Sequence, residues 1–220
     1  MKTQTMNAWT RCAALLSLLG AGVAQAGIVS NGGFESQTGS NANGYCYTSS
    51  AGCAFAGWSS TGNGTVVIGA NSSAWGTPSN LGNASGNLGS FVLGLQGNGA
   101  NISQTLNLAT ASLVELSWFD AGRSNWSGLQ SYSVYFAGTE LGTFSTQAGQ
   151  AWRQHQLSFT ASGSGLLEFR SLNLGSYDRT SFINGVQATA SQVPEPQSLA
   201  LALTALAVLG LTRARRHRGL

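Results

Sequence analysis

The stretch Leu113-Val114-Glu115-Leu116-Ser117-Trp118-Phe119 alternates with a period of two, setting Val114, Leu116 and Trp118 on one face and Glu115 and Ser117 on the other. That is the period of a strand with one face on a core; a helix would repeat its apolar positions every 3.6 residues. Leu166-Leu167-Glu168-Phe169-Arg170 repeats the pattern, with Leu167 and Phe169 pointing in and Glu168 and Arg170 pointing out. Six more short apolar runs, at 65–70, 91–95, 102–108, 131–137, 156–160 and 182–188, are bounded by Gly, Asn or Ser. Short strands at such spacing predict an all-β fold, an antiparallel β-sandwich spanning residues 27–192 as one domain.

Composition supports this. Only 8% of the 220 residues are charged, and 30 are glycine, roughly twice the usual glycine share and about a third of the usual charge. A nucleic-acid groove needs clustered cations and a coiled coil needs charged heptads, so neither is expected. The apolar fraction of 42% suffices for a core.

The two ends read as targeting segments. Residues 1–26 carry Lys2 and Arg11, an apolar run over 13–24 and the small-residue site Ala24-Gln25-Ala26, the three parts of a secretory signal that ends before Gly27. At the other end, Val193-Pro194-Glu195-Pro196 precedes an Ala/Leu-rich run over 198–211 and the basic residues Arg213, Arg215, Arg216, His217 and Arg218. The run predicts a short transmembrane helix with its arginines at the cytoplasmic face. At ~22 Å it falls short of the ~30 Å hydrocarbon core, so arginine snorkelling or local thinning makes up the difference.

Residues 193–218 closely resemble the PEP-CTERM sorting signal of exported proteins in Gram-negative, exopolysaccharide-producing bacteria. That resemblance implies Sec export, temporary retention in the inner membrane, and cleavage near Pro194-Glu195-Pro196 by an exosortase. Delivery to the cell surface or extracellular matrix would follow. Between residues 27 and 192, six acids (Glu35, Glu115, Asp120, Glu140, Glu168, Asp178) face four arginines (Arg123, Arg153, Arg170, Arg179), a net charge of −2. The whole-chain charge of +3 therefore belongs to the ends and indicates no acidic partner. Cys46 and Cys53 lie in a turn-rich stretch and are expected to close a disulfide in an oxidising compartment.

A second resemblance rests on Ile28-Val29-Ser30-Asn31-Gly32-Gly33-Phe34-Glu35 followed by Gly57-Trp58, on 91–97 with 102–106, on 116–123, and on Thr180-Ser181-Phe182-Ile183-Asn184-Gly185-Val186. These segments are similar to galactose-binding-like jelly rolls, the fold of many carbohydrate-binding modules, whose opening motif forms an N-terminal strand. The resemblance implies a structural calcium shared by Glu35 and the position of Asn184, where the family usually shows Asp. A hard cation prefers several charged oxygens, so the amide weakens that expectation. No other cofactor is expected.

Catalytic constellations are missing from the sequence: there is no Gly-x-Ser-x-Gly elbow, no His-Glu-x-x-His and no Walker loop. His155 is in phase with Leu157 and Phe159 and reads as a packed or capping strand residue. Asp120 and Arg123 are expected to form a local ion pair that holds the loop 121–130. Aromatic rings stack on the C–H faces of sugars while Asn, Gln, Arg and carboxylates serve the hydroxyls. The candidate ligand contacts are accordingly Trp75 and Trp126 in polar loops, Tyr45 and Tyr47 beside Cys46, and Arg123; Trp118 is assigned to the core. The sequence thus predicts an exported, non-enzymatic surface or matrix protein that binds glycan such as exopolysaccharide. The alternative is a structural matrix or adhesion protein without a ligand.

Overall fold

The computed structural model describes residues 27–76, 89–108, 110–172 and 178–192. The expected signal helix at 1–26 and the sorting segment at 193–220, with its proline motif, transmembrane helix and arginine cluster, lie outside the described residues. Among the described residues there is no helix, and the strands run β1 (Gln37–Thr38), β2 (Tyr45–Tyr47), β3 (Ala54–Phe55), β4 (Ser59–Thr61), β5 (Thr65–Gly69), β6 (Phe91–Gln96) and β7 (Asn98–Leu106). They continue as β8 (Ser112–Gly122), β9 (Gln130–Phe136), β10 (Thr139–Thr146), β11 (Arg153–Ala161), β12 (Gly165–Leu172) and β13 (Thr180–Gln192).

These form a six-stranded sheet in the order β11-β8-β13-β6-β5-β2, a five-stranded sheet in the order β10-β9-β12-β7-β4, and a small β1-β3 ribbon. Every pairing is antiparallel. The core lies between the two larger sheets, because alternate residues of each strand meet there. Val114, Leu116 and Trp118 of β8 are buried against Leu167 and Phe169 of β12 and Tyr132 and Val134 of β9. Trp118 and Phe169 meet edge to face at 5.7 Å, and Phe34, Phe55 and Trp58 form a further aromatic group within this core. Removing each such side chain from water stabilises the fold by about 1.5–3 kcal/mol.

All eight expected runs fall on strands, and β1 to β4 and β10 are additions. A bulge between Glu140 and Gly142 puts Leu141 and Phe144 three residues apart, yet both pack on the core. That spacing hides the period of two. The opening segment is a correction: residues 28–35 form no strand, and the bridge Gly27↔Thr189 with the bonds from Ile28 N to Ala188 O and from Val186 N to Gly32 O ties this part of the chain to β13.

β5 is buried on both faces, which explains its unbroken apolar run. Val67 faces the main core. Val66 and Ile68 point outward and join Val92, Ala121, Phe182 and Trp75 in a second cluster on the outer face of the six-stranded sheet.

Asp120 corrects the expected pairing with Arg123. It is wholly buried; its Oδ2 accepts from Tyr132 Oη at 2.9 Å and from Arg153 Nη2 at 3.4 Å, and its Oδ1 from Gln150 Nε2 at 3.3 Å. His155 Nε2 stands 2.8 Å from the same carboxylate, its ring stacked 5.2 Å from Trp118. The carboxylate points inward from β8, along the row of Trp118, whereas Arg123 lies beyond the end of the strand and turns to other partners.

Candidate functional site

The edge strand β2 is short, and its alternation does the positioning. Cys46 packs on the core side and is bonded to Cys53, with Cα atoms 6.1 Å apart. Tyr45 and Tyr47 consequently share the outer face, where Trp75 from the segment after β5 folds back onto them. Tyr45 meets Trp75 edge to face at 5.3 Å, and Tyr47 lies 6.3 Å from the same indole.

Arg123 closes the group. Its guanidinium carbon lies 4.5 Å from the centre of the Trp75 ring, a cation–π contact. Its Nε donates to Asn125 Oδ1 at 2.7 Å, Nη1 to Asp178 O at 3.0 Å and Nη2 to Ala74 O at 3.3 Å, while Nη1 lies 3.7 Å from Asp178 Oδ1. Burial lowers the Arg123 pKa, partly offset by the charge of Asp178. Tyr47 Oη donates to Gln96 Oε1 at 2.8 Å, and Gln96 Nε2 donates to Asp178 Oδ1 at 3.1 Å. Burial first, and then neighbouring Tyr45, raises the Tyr47 pKa. Side chains therefore link Tyr47, Gln96, Asp178, Arg123 and Trp75 in one closed circuit, which fixes their rotamers before any ligand arrives.

Beside this circuit opens a groove of about 370 Å³ lined by Tyr47, Gly62, Asn63, Gly64, Gln96, Gly97, Asn98 and Gly99. It exists because two turns approach closely: a Cβ on Gly62 would run into Gly99 O, and one on Gly64 into Gln96 O. Both glycines also hold positive φ, +77° and +117°, where other residues are strained.

Four of the five ligand contacts expected from sequence thus lie together: Tyr45, Tyr47, Trp75 and Arg123. Their roles differ. Tyr45 is 46% exposed and Trp126 41%, whereas Trp75 is 3% exposed. Trp75 is therefore a buried support under Tyr45 and Arg123, not an open platform. Trp126 sits on the adjoining loop, where Asn125 Nδ2 donates to Ala74 O and Ser124 Oγ to Gly76 O.

No family model matches the chain, and no curated protein matches it. Solved structures do. The family 61 carbohydrate-binding module TmCBM61, solved with β-1,4-galactotriose, is similar at 14% identity and a TM-score of 0.43, over 74% of this chain and 97% of that one. The K1 cleaved adhesin domain of Lys-gingipain from Porphyromonas gingivalis W83 gives 12% identity and a TM-score of 0.44, over 63% of this chain and 92% of that one. A family 36 carbohydrate-binding module, solved with calcium and xylotriose, gives 16% and 0.35, over 45% and 79%.

Glu35 and Asn184 converge on the start of β6. Glu35 Oε1 accepts from Ser90 N at 2.8 Å and Phe91 N at 3.0 Å. Asn184 Nδ2 donates to Phe91 O at 2.9 Å, and its Oδ1 accepts from Gly185 N at 2.6 Å. The two side chains clasp one residue, Phe91, by its N–H and its C=O. This donor set does not fit calcium, which takes six to eight oxygens: one Glu35 oxygen already serves two N–H groups, and Asn184 turns a donor inward. Among the described residues no three His, Cys, Asp or Glu side chains are grouped for a metal.

Gln96 and Asp178 were not singled out by sequence reasoning. The available signal for Gln96 was an amide ending the apolar run 91–95; Asp178, an acid near no apolar period, carried none.

Proposed function

We propose that this chain is a non-catalytic, glycan-binding β-sandwich of the galactose-binding-like jelly-roll kind. We further assign it to export and exosortase processing through the resemblance of its C-terminal segment, with the cell surface or exopolysaccharide matrix as its destination. The observation that carries the binding reading is the preorganised edge site. Tyr45, exposed and braced by Trp75, adjoins Tyr47, which joins Gln96, Asp178 and Arg123 in one circuit beside a glycine- and asparagine-lined groove. A ring face next to fixed neutral and charged hydrogen-bonding groups suits a hydroxylated ligand.

The competing reading, a structural matrix protein, is favoured by the burial of Trp75, since it removes one of the expected platforms.

The test is titration of the full chain in mild nonionic detergent with soluble exopolysaccharide from the producing bacterium and with xylan and β-galactan oligosaccharides, followed by tryptophan fluorescence. Saturable binding is expected, weakened about tenfold or more in Tyr45→Ala, the loss typical of an anchoring aromatic. Absence of binding to every probe would leave the structural reading standing.

A further inference from the structure

The two larger sheets have four edges, and three are blunted. β2 and β4 are three residues each. β10 carries Glu140 and breaks register at a bulge. β11 differs: nine residues pair with β8 from Arg153↔Asp120 to Ala161↔Ser112 without a register shift. Among the described residues no strand pairs with its other side. It holds no proline, no lysine and no acid, and its one arginine, Arg153, stands at the first position and donates to Ser145 O at 3.1 Å. Long, flat, uncharged edges are what soluble proteins avoid unless something pairs there.

From this edge we infer that β11 pairs antiparallel with β11 of a second copy, about a two-fold axis at Leu157, joining the two six-stranded sheets into one. The sequence of the strand is self-complementary in that register. On the outer face Gln154 meets Thr160 and Gln156 meets Ser158, all neutral and hydrogen-bonding. On the inner face His155 meets Phe159 and Leu157 meets itself. Leu157 and Phe159 are only half-buried in one copy, packed on one side against the core, and a second strand would cover their open flank. Charges do not clash: Arg153 falls opposite Ala161. The two-fold makes the contact isologous, so it closes at a dimer. The inference is independent of the glycan-binding reading, because β11 and β2 are the opposite edges of their sheet.

The test is the mass of the full chain in mild nonionic detergent across a concentration series, by sedimentation, with amide exchange over 153–161. Twice the chain mass is expected at high concentration, with alternate β11 amides becoming protected as concentration rises. The double variant Gln156→Lys/Ser158→Lys sets lysine opposite lysine at the 156/158 pair and at its two-fold mate, on exposed positions that leave the core untouched; unchanged circular dichroism checks its fold. It is expected to return the mass to one chain. A single-chain mass at all concentrations, or a dimer that survives both lysines, would overturn the pairing. Concentration-independent protection would place a segment of the same chain on the edge and overturn it too.

Discussion

Tyr132 sits at the centre of the buried polar chain, accepting from Trp118 Nε1 at 2.7 Å and donating to Asp120 Oδ2. Burial, and then the charge of Asp120, raises its pKa well above 10. The folded state holds this proton more tightly than the unfolded chain does, so the stability gained is complete below pH ~10 and lost as pH climbs from there towards the folded value. The raised Tyr47 pKa acts in the same direction. Urea midpoints measured from neutral pH upward are therefore expected to fall above pH ~10. Tyr132→Phe should remove much of that fall, at a cost near neutral pH of about 1–3 kcal/mol for the donor it orphans. An unchanged alkaline fall in the variant would detach it from Tyr132. At this scale the inward positions of Trp118 and His155 were legible, because phase along a strand is a local property. The partner of Asp120 was not, since Tyr132, Gln150, Arg153 and His155 arrive from β9, β11 and the connection before β11. Proximity in sequence favoured Arg123, and the inward side of β8 decided against it.

β2 depends on more than its backbone ladder, being three residues that among the described residues pair only with β5. The Cys46–Cys53 bond ties its inner side to the chain just before β3 while the tyrosines project from its outer side. Cys46→Ser with Cys53→Ser should cost about 2–3 kcal/mol of stability, the entropy of a short loop. It should also weaken glycan binding while amide protection in β8 and β13 persists. Binding at full strength without the disulfide would show that Trp75 and the β5 ladder alone hold Tyr45 in place. Elements with an unbroken period of two, such as β8 and β12, could be read from the chain directly. β10 could not, because its bulge shifts the phase midway, and β1 to β4 are too short for any period. The edge site was half legible: aromatics in polar loops pointed to Tyr45, Tyr47, Trp75 and Trp126, but which ring is exposed depends on how residues 70–76 fold back over β5.

In the paired molecule the two sheets would run as twelve strands, with β2 of each copy at the outer ends. Eleven strand intervals of ~4.8 Å set the two Tyr45 sites roughly 50 Å apart, a span a polysaccharide chain covers and a short oligosaccharide does not. Two sites engaging one polymer turn the second binding event intramolecular, which raises affinity by ~10²–10⁴ without a new contact. Polymer should thus bind far more tightly than an oligosaccharide of the same repeat, and the Gln156→Lys/Ser158→Lys chain should lose that surplus while keeping its oligosaccharide affinity. Tyr45→Ala should weaken both. If the lysine variant instead binds polymer as tightly as the parent, the copies act singly, and any preference for polymer belongs to one edge site and the groove beside it.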